Sequence, residues 1–241
     1  MAMEGAQEKV ALLAGASGLV GGYALNALLE APEIRRVVAL TRRPLAREHP
    51  RLANRTVRFA QLEAELRGTS CDLALCCLGT TRRKAGSPEH FREVDLEAVL
   101  HLARVALAGG AKRFVVVSSV GADPAAKTLY LRTKGEMEQG LIALGFASLD
   151  ILQPSLLLGG RGELRPLELL GRAIAPLLNP LLRGGYTAYR AISARTVGDA
   201  MVGAMRSGRK GLQRYTYEGI AALARVGAPR RVPAAPAHQA R

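Results

Sequence analysis

Short apolar runs alternate along this chain with stretches in which apolar residues recur every three or four positions. That rhythm predicts strands and helices in alternation, the pattern of βαβ units around a parallel sheet. Val10 to Ala14 reads as a first buried strand, and Leu19 to Leu29 as the helix behind it, ending near Pro32. Val37 to Leu40, Thr56 to Phe59 and Leu73 to Leu78 read as the next three strands. A long helix follows, with Ser87 as its N-cap, Pro88 in its first turn and Gly109-Gly110 past its end. Phe114 to Val117 predicts a fifth strand, Tyr130 to Leu144 a helix closed by Gly145, and Leu149 to Leu152 a sixth strand. Beyond it the order is less regular. Leu164 to Leu182 is rich in leucine but interrupted by Pro166, Pro176 and Pro180, Thr196 to Met205 reads as a helix, and Tyr215 to Tyr217 as a late strand. The expected fold class is α/β, a Rossmann-type doubly wound parallel sheet in a single domain over residues 1–225, with 155–195 as a substrate-side segment. The Ala/Pro/Arg-rich residues 226–241 carry no periodicity and are expected to form a disordered tail.

The joint between the first strand and its helix carries the strongest chemical signal. Gly15-Ala-Ser17-Gly18-Leu19-Val20-Gly21 follows a buried strand and opens a helix, the setting that marks a dinucleotide phosphate cradle. Gly15 suits the tight turn, Gly18 the approach of a pyrophosphate, and Gly21 close packing of helix on strand. Helix N–H groups then face the phosphates with a favourable dipole. The spacing is GxxGxxG rather than GxGxxG. The second strand ends in Thr41-Arg42-Arg43, where an NAD enzyme would place an acid for the ribose 2′-hydroxyl. Two guanidinium groups suit a 2′-phosphate instead, so NADPH is the expected cofactor.

Tyr130 and Lys134 lie one helical turn apart on one face, roughly 5–6 Å between Cβ atoms. An ammonium beside a phenol favours the phenolate, and such a tyrosine can hand a proton to a carbonyl under reduction. Ser118-Ser119 at the end of the preceding strand offers a hydroxyl to the same oxygen.

These pieces in this order resemble the short-chain dehydrogenase/reductase superfamily from Val10 to about Ile220. A narrower likeness runs through Cys77-Leu-Gly-Thr-Thr-Arg-Arg-Lys-Ala-Gly86, Val94-Asp95 and Leu129-Tyr-Leu-Arg-Thr-Lys-Gly-Glu136, which look like the Tat-interacting-protein branch of atypical members. The resemblance implies that Ser119, Tyr130 and Lys134 are catalytic, with Lys134 also on the nicotinamide ribose. It implies further that Leu78, Gly79 and Thr80 line the cofactor, and that Gln153-Pro154-Ser155 replaces the family's nicotinamide loop. Two departures stand out: Asp95 occupies a position where many members have asparagine, and the short spacing before Tyr130 leaves Ser118 a rival to Ser119. The resemblance implies an NADPH-dependent reductase of a small carbonyl substrate. Its alternative is a non-catalytic NADPH-binding regulator acting through protein contacts. Epimerase or dehydratase chemistry is disfavoured by the short chain beyond the sixth strand.

Composition changes this picture little. Of 34 basic residues only six are lysine, and the formal charge is +14. The arginines are scattered as pairs without interleaved aromatics, so a nucleic-acid partner is not expected. Arg82, Arg83 and Lys84 could grip an acidic substrate or form a solvated loop. Leu177, Leu178, Leu181 and Leu182 would roof a substrate pocket or pack on a partner subunit, so a homodimer is open. The histidines His49, His90, His101 and His238 lack metal-ligand spacing, and no metal is expected. Cys71, Cys76 and Cys77 read as small core residues, with Cys76 and Cys77 on opposite faces of a strand. No signal-peptide pattern and no apolar run of about 20 residues is present, which excludes a membrane span and gives a cytoplasmic expectation.

Overall fold

The computed structural model describes residues 8–159 and 184–228. Their strands are β1 (Lys9–Ala14), β2 (Ile34–Thr41), β3 (Leu52–Thr56), β4 (Leu73–Cys76), β5 (Arg113–Val117), β6 (Ser148–Leu152), β7 (Leu157–Leu158), β8 (Ile192–Ser193) and β9 (Gly211–Tyr215). Seven of them form one sheet in the order β3-β2-β1-β4-β5-β6-β9, with every described pairing parallel. The order reverses between β1 and β4, and in an open parallel sheet the crevice beyond the carboxyl ends of such strands is where a ligand sits.

Helices cover both faces because alternate strand residues are apolar on each side. Helix α1 (Leu19–Glu30), α7 (Ala194–Arg206) and α8 (Tyr217–Gly227) bury one face with Ala11, Leu13, Leu75 and Val115. The short α2 (Leu62–Glu65), α5 (Ala98–Ala108) and α6 (Leu129–Ala143) close the other over Leu12, Ala74, Phe114 and Val116. Cys76 belongs to the second cluster and Cys77 packs on the first, the two-faced placement expected of them. Between β4 and α5 lie a one-turn helix α3 (Arg82–Ala85) and α4 (Pro88–Arg92), which Ser87 caps by accepting from the His90 N–H at 3.1 Å. Residues Glu93–Glu97 then wind as a π turn before α5 begins. β7 and β8 pair in parallel outside the main sheet and lead the chain into α7.

Several expected boundaries move. β3 is Leu52–Thr56 rather than Thr56 to Phe59, and Phe59–Gln61 is a 3-10 turn. It is an edge strand whose side chains are half-buried or exposed, so apolar alternation is weak there. β2 begins at Ile34, its exposed Arg35 and Arg36 having hidden its start. The late strand is Gly211–Tyr215, and Tyr217 opens a helix that runs to Gly227, past the point where the tail was expected to begin. The leucine-rich segment from Leu164 to Leu182, with its proposed roof residues, lies outside the described residues, as does the tail from residue 229.

Candidate active site

The turn after β1 is fixed by two close approaches. Gly15 has φ +86°, a left-handed conformation, and a Cβ there would stand 2.6 Å from the carbonyl carbon and oxygen of Cys77. A Cβ on Gly21 would lie 2.0 Å from the Gly15 carbonyl oxygen. These glycines press α1 against the ends of β1 and β4, and the Gly18 N–H closes the turn on the Gly15 carbonyl at 2.8 Å. Gly18 is the N-cap of α1, with no side-chain cap and no acidic residue in the first turn. Such an N-terminus offers N–H groups and a positive dipole end to an anion.

Above this turn lies a cleft of about 1340 Å³ running across the carboxyl ends of β1, β2, β4 and β5. That exceeds the roughly 300–1,000 Å³ of a drug-sized ligand site, and it leaves room for a dinucleotide with a small second ligand. Gly15, Ser17, Gly18, Leu19 and Val20 line it from the turn, Arg42 from the end of β2, and Leu78, Gly79 and Thr80 from the end of β4. Tyr130, Lys134 and Ser155 line it from the other side. Gly21, Arg43, Pro154 and Ser119, expected at the site from sequence, are not on its wall. Gly21 lies beneath as the packing contact just described. Arg43 is an exposed neighbour of Arg42, and buried Pro154 accepts from the Val120 N–H at 3.1 Å. Ser119 is buried, and its Oγ donates to the Val120 carbonyl at 3.2 Å.

Ser118 does line the cleft, but its hydroxyl is already committed, donating to Glu138 Oε1 at 2.6 Å. The buried Glu138 carboxylate also accepts from Gln153 Nε2 at 2.8 Å and Arg214 Nε at 3.1 Å. One α6 side chain thereby fastens the ends of β5, β6 and β9. Sequence reasoning missed Glu138; its only signal was a position one turn after Lys134 on the same helix face. Asn54 was missed too. Its Oδ1 accepts from Leu45 N–H at 2.7 Å and its Nδ2 donates to Thr41 Oγ1 at 2.8 Å, which anchors the loop that carries Arg42. Arg58, also on the cleft wall, already pairs with Glu65 at 2.8 Å.

Tyr130 is 37% exposed, its ring centroid 6.0 Å from that of the fully buried Phe91. Lys134 is 4% exposed. Burial works against its ammonium, but the Asp95 carboxylate 2.8 Å away and then the Tyr130 phenol outweigh it, so its pKa is raised. Burial pushes the Cys76 thiol up to about 12 and Cys71 to about 11, leaving both as neutral core groups. Arg82 and Lys84 stand at the rim of the cleft. Among the described residues, no group of His, Cys, Asp or Glu could hold a metal ion.

The residues fit a dinucleotide. Gly15 and Gly21 fix the turn that brings the α1 N-terminus to the cleft, that N-terminus is uncapped, and the Lys134 ammonium lines the same cleft.

Comparison with known proteins agrees. A mitochondrial protein of Candida albicans, FMP52, is 34% identical over 209 residues, covering 82% of this chain and 88% of that protein. Protein HTATIP2 of Rattus norvegicus is 38% identical over 184 residues, covering 75% and 76%. Among solved structures, Bordetella bronchiseptica WbmH in complex with NAD+ aligns at TM-score 0.65 and 14% identity, covering 86% of this chain and 75% of that one. MoeE5 in complex with UDP-glucose and NAD gives 0.62 and 20%, with the same coverage. Both share the fold.

The cytoplasmic expectation is corrected, because fungal relatives at 34–36% identity are named mitochondrial. Its premises argued against secretion and membrane crossing, and those do not separate the cytoplasm from an organelle. Among the described residues no helix is long and apolar enough to cross a membrane. The NAD dependent epimerase/dehydratase profile matches residues 11–138, a stretch that runs from β1 through the Tyr130–Lys134 turn to Glu138. With that match and those relatives, the chain belongs to the NAD dependent epimerase/dehydratase family, within the short-chain dehydrogenase/reductase superfamily, and has its NAD(P)-binding Rossmann-type fold.

Proposed function

We propose that this chain is an NADPH-dependent oxidoreductase that reduces a small carbonyl compound, with Tyr130 as the proton donor. The observation that carries the reading is that Tyr130 and Lys134 line the same cleft as the glycine cradle. When bound, NADPH supplies a hydride to the carbonyl carbon. Tyr130 gives its phenolic proton to the carbonyl oxygen, which becomes the hydroxyl of the product, and solvent at the open cleft returns the proton. The Lys134 ammonium stabilises the phenolate left behind and holds the ribose side of the cofactor. Ser119, which does not line the cleft wall, would have to turn its hydroxyl from the Val120 carbonyl to support the substrate oxygen. Its 3.2 Å contact with a neighbouring carbonyl is weak enough to exchange for a ligand, whereas the 2.6 Å bond from Ser118 to a buried carboxylate is not.

NADPH is favoured over NADH because Arg42 lines the cleft at the end of β2 and no acid takes the ribose position there. The test is consumption of NADPH by the purified protein with a panel of aldehydes, ketones and quinones, with the alcohol product identified. Tight NADPH binding without reaction, together with NADPH-dependent capture of a protein partner, would favour a regulator over an enzyme.

A further inference from the structure

Asp95 stands inside the π turn that interrupts the helix after β4. A π turn shifts the phase of the side chains that follow it, and here Asp95 and Leu96 are both buried. The Asp95 carboxylate, 1% exposed, meets two different parts of the site. Its Oδ2 accepts the Thr80 N–H at 2.8 Å, tying down the loop that lines the cleft after β4. Its Oδ1 lies 2.8 Å from Lys134 Nζ, a buried ion pair. Gly79 passes close to both groups: a Cβ there would sit at van der Waals distance, 3.4 Å from Asp95 Oδ1 and 4.0 Å from Lys134 Nζ. An asparagine could accept from Thr80 equally well, but it would bring no charge to the ammonium.

We propose that Asp95 is a positioning residue that keeps the buried Lys134 ammonium charged and fixed, joined to the Gly79–Thr80 loop as one unit of the cofactor site. The proposal rests on the reading that the cleft holds a nicotinamide cofactor. The ionisable groups facing Lys134 are Asp95 from the π turn, Tyr130 from its own helix and Cys76 from β4. Cys76 is a neutral thiol at physiological pH, its pKa pushed up to about 12. Without the Asp95 carboxylate, burial of Lys134 is opposed by no anion among these groups, and its proton is lost at lower pH. Cofactor affinity then gains a pH dependence that the wild type lacks.

The test is calorimetric titration of NADPH into wild type, Asp95→Asn and Asp95→Asn/Lys134→Arg between about pH 6 and pH 9, a window that spans the titration range of a desolvated lysine. Wild-type affinity should change by less than about twofold across the window. Asp95→Asn should weaken about tenfold or more as pH rises, and the arginine, which cannot deprotonate there, should flatten the curve again. A folded Asp95→Asn with a wild-type pH profile would overturn the proposal. If Asp95→Asn fails to fold, the wild-type Lys134 Nζ resonance, assigned by its loss in Lys134→Arg, carries the test. It should remain protonated through about pH 9, and titration below that would overturn the proposal. If neither NADPH nor NADH binds the wild type, the cofactor reading fails, while the lysine titration still decides the pairing.

Discussion

A Cβ placed on Gly21 would stand 2.0 Å from the carbonyl oxygen of Gly15. The third glycine of the cradle is therefore a packing residue and the first sets the turn, which separates structural from binding roles within one motif. Gly21→Ala should cost about 3 kcal/mol or more in chemical denaturation, at or beyond the upper end of ordinary overpacking because the clash is with backbone. Gly18→Val should keep a normal circular dichroism spectrum but lose the thermal stabilisation that NADPH confers. Full stabilisation of Gly18→Val would show that the phosphates bind elsewhere.

Arg42 lines the cleft and Arg43 does not. Wild type should bind NADPH at least tenfold more tightly than NADH, about 1.4 kcal/mol. Arg42→Ala should remove most of that preference and Arg43→Ala little of it. Calorimetry with both cofactors reads the outcome, and equal wild-type affinities would refute the assignment.

Ser118 and Ser119 should separate by readout. Ser118→Ala removes a donor from buried Glu138 and should cost about 1–3 kcal/mol of stability. Ser119→Ala should leave stability and NADPH affinity nearly unchanged and lower turnover. A larger turnover loss in Ser118→Ala would transfer the substrate contact to it.

Glu33, just before β2, pairs with Arg206 at the end of α7, Nε to Oε1, at 2.6 Å. Partial burial raises its carboxyl pKa, but hydrogen bonds and charge from Arg206 outweigh this and hold it below the ordinary 4.5. A carboxylate with a depressed folded pKa stabilises the fold above its unfolded pKa, and that stability is lost as pH falls through the folded value. Denaturation midpoints should therefore decline below about pH 4.5 in wild type and decline less in Glu33→Gln, with a difference under about 1 kcal/mol because the pair is partly exposed. Parallel curves for the two proteins would show that the pair contributes nothing.

Much of the site was legible because it depends on local spacing. The glycine turn announced itself by following a buried run, the Tyr130–Lys134 face by its i,i+4 separation, and the α4 start by Ser87-Pro88. What was hidden depends on tertiary pairing. β3 escaped because Leu52–Thr56 is an edge strand with polar Asn54 and Arg55, whose partners lie across the sheet. α8 escaped because the aromatic pair Tyr215 and Tyr217 reads as strand, although the strand ends at Tyr215 and Tyr217 opens the helix. The π turn leaves no mark in composition, so Asp95 read as a departure from a pattern and not as the partner of Lys134. Glu138 was invisible because its three partners lie just past β5, just past β6 and on β9.

We propose Tyr130 as the proton donor in an NADPH-dependent carbonyl reduction. The most direct test of this claim is NADPH oxidation by wild type and Tyr130→Phe on whichever panel compound the wild type reduces, with NADPH affinity measured alongside. The substitution removes one oxygen and keeps the ring against Phe91, so NADPH affinity should hold within about twofold while turnover falls about 10²-fold or more. Turnover by Tyr130→Phe equal to wild type, with the cofactor bound equally well, would contradict the claim.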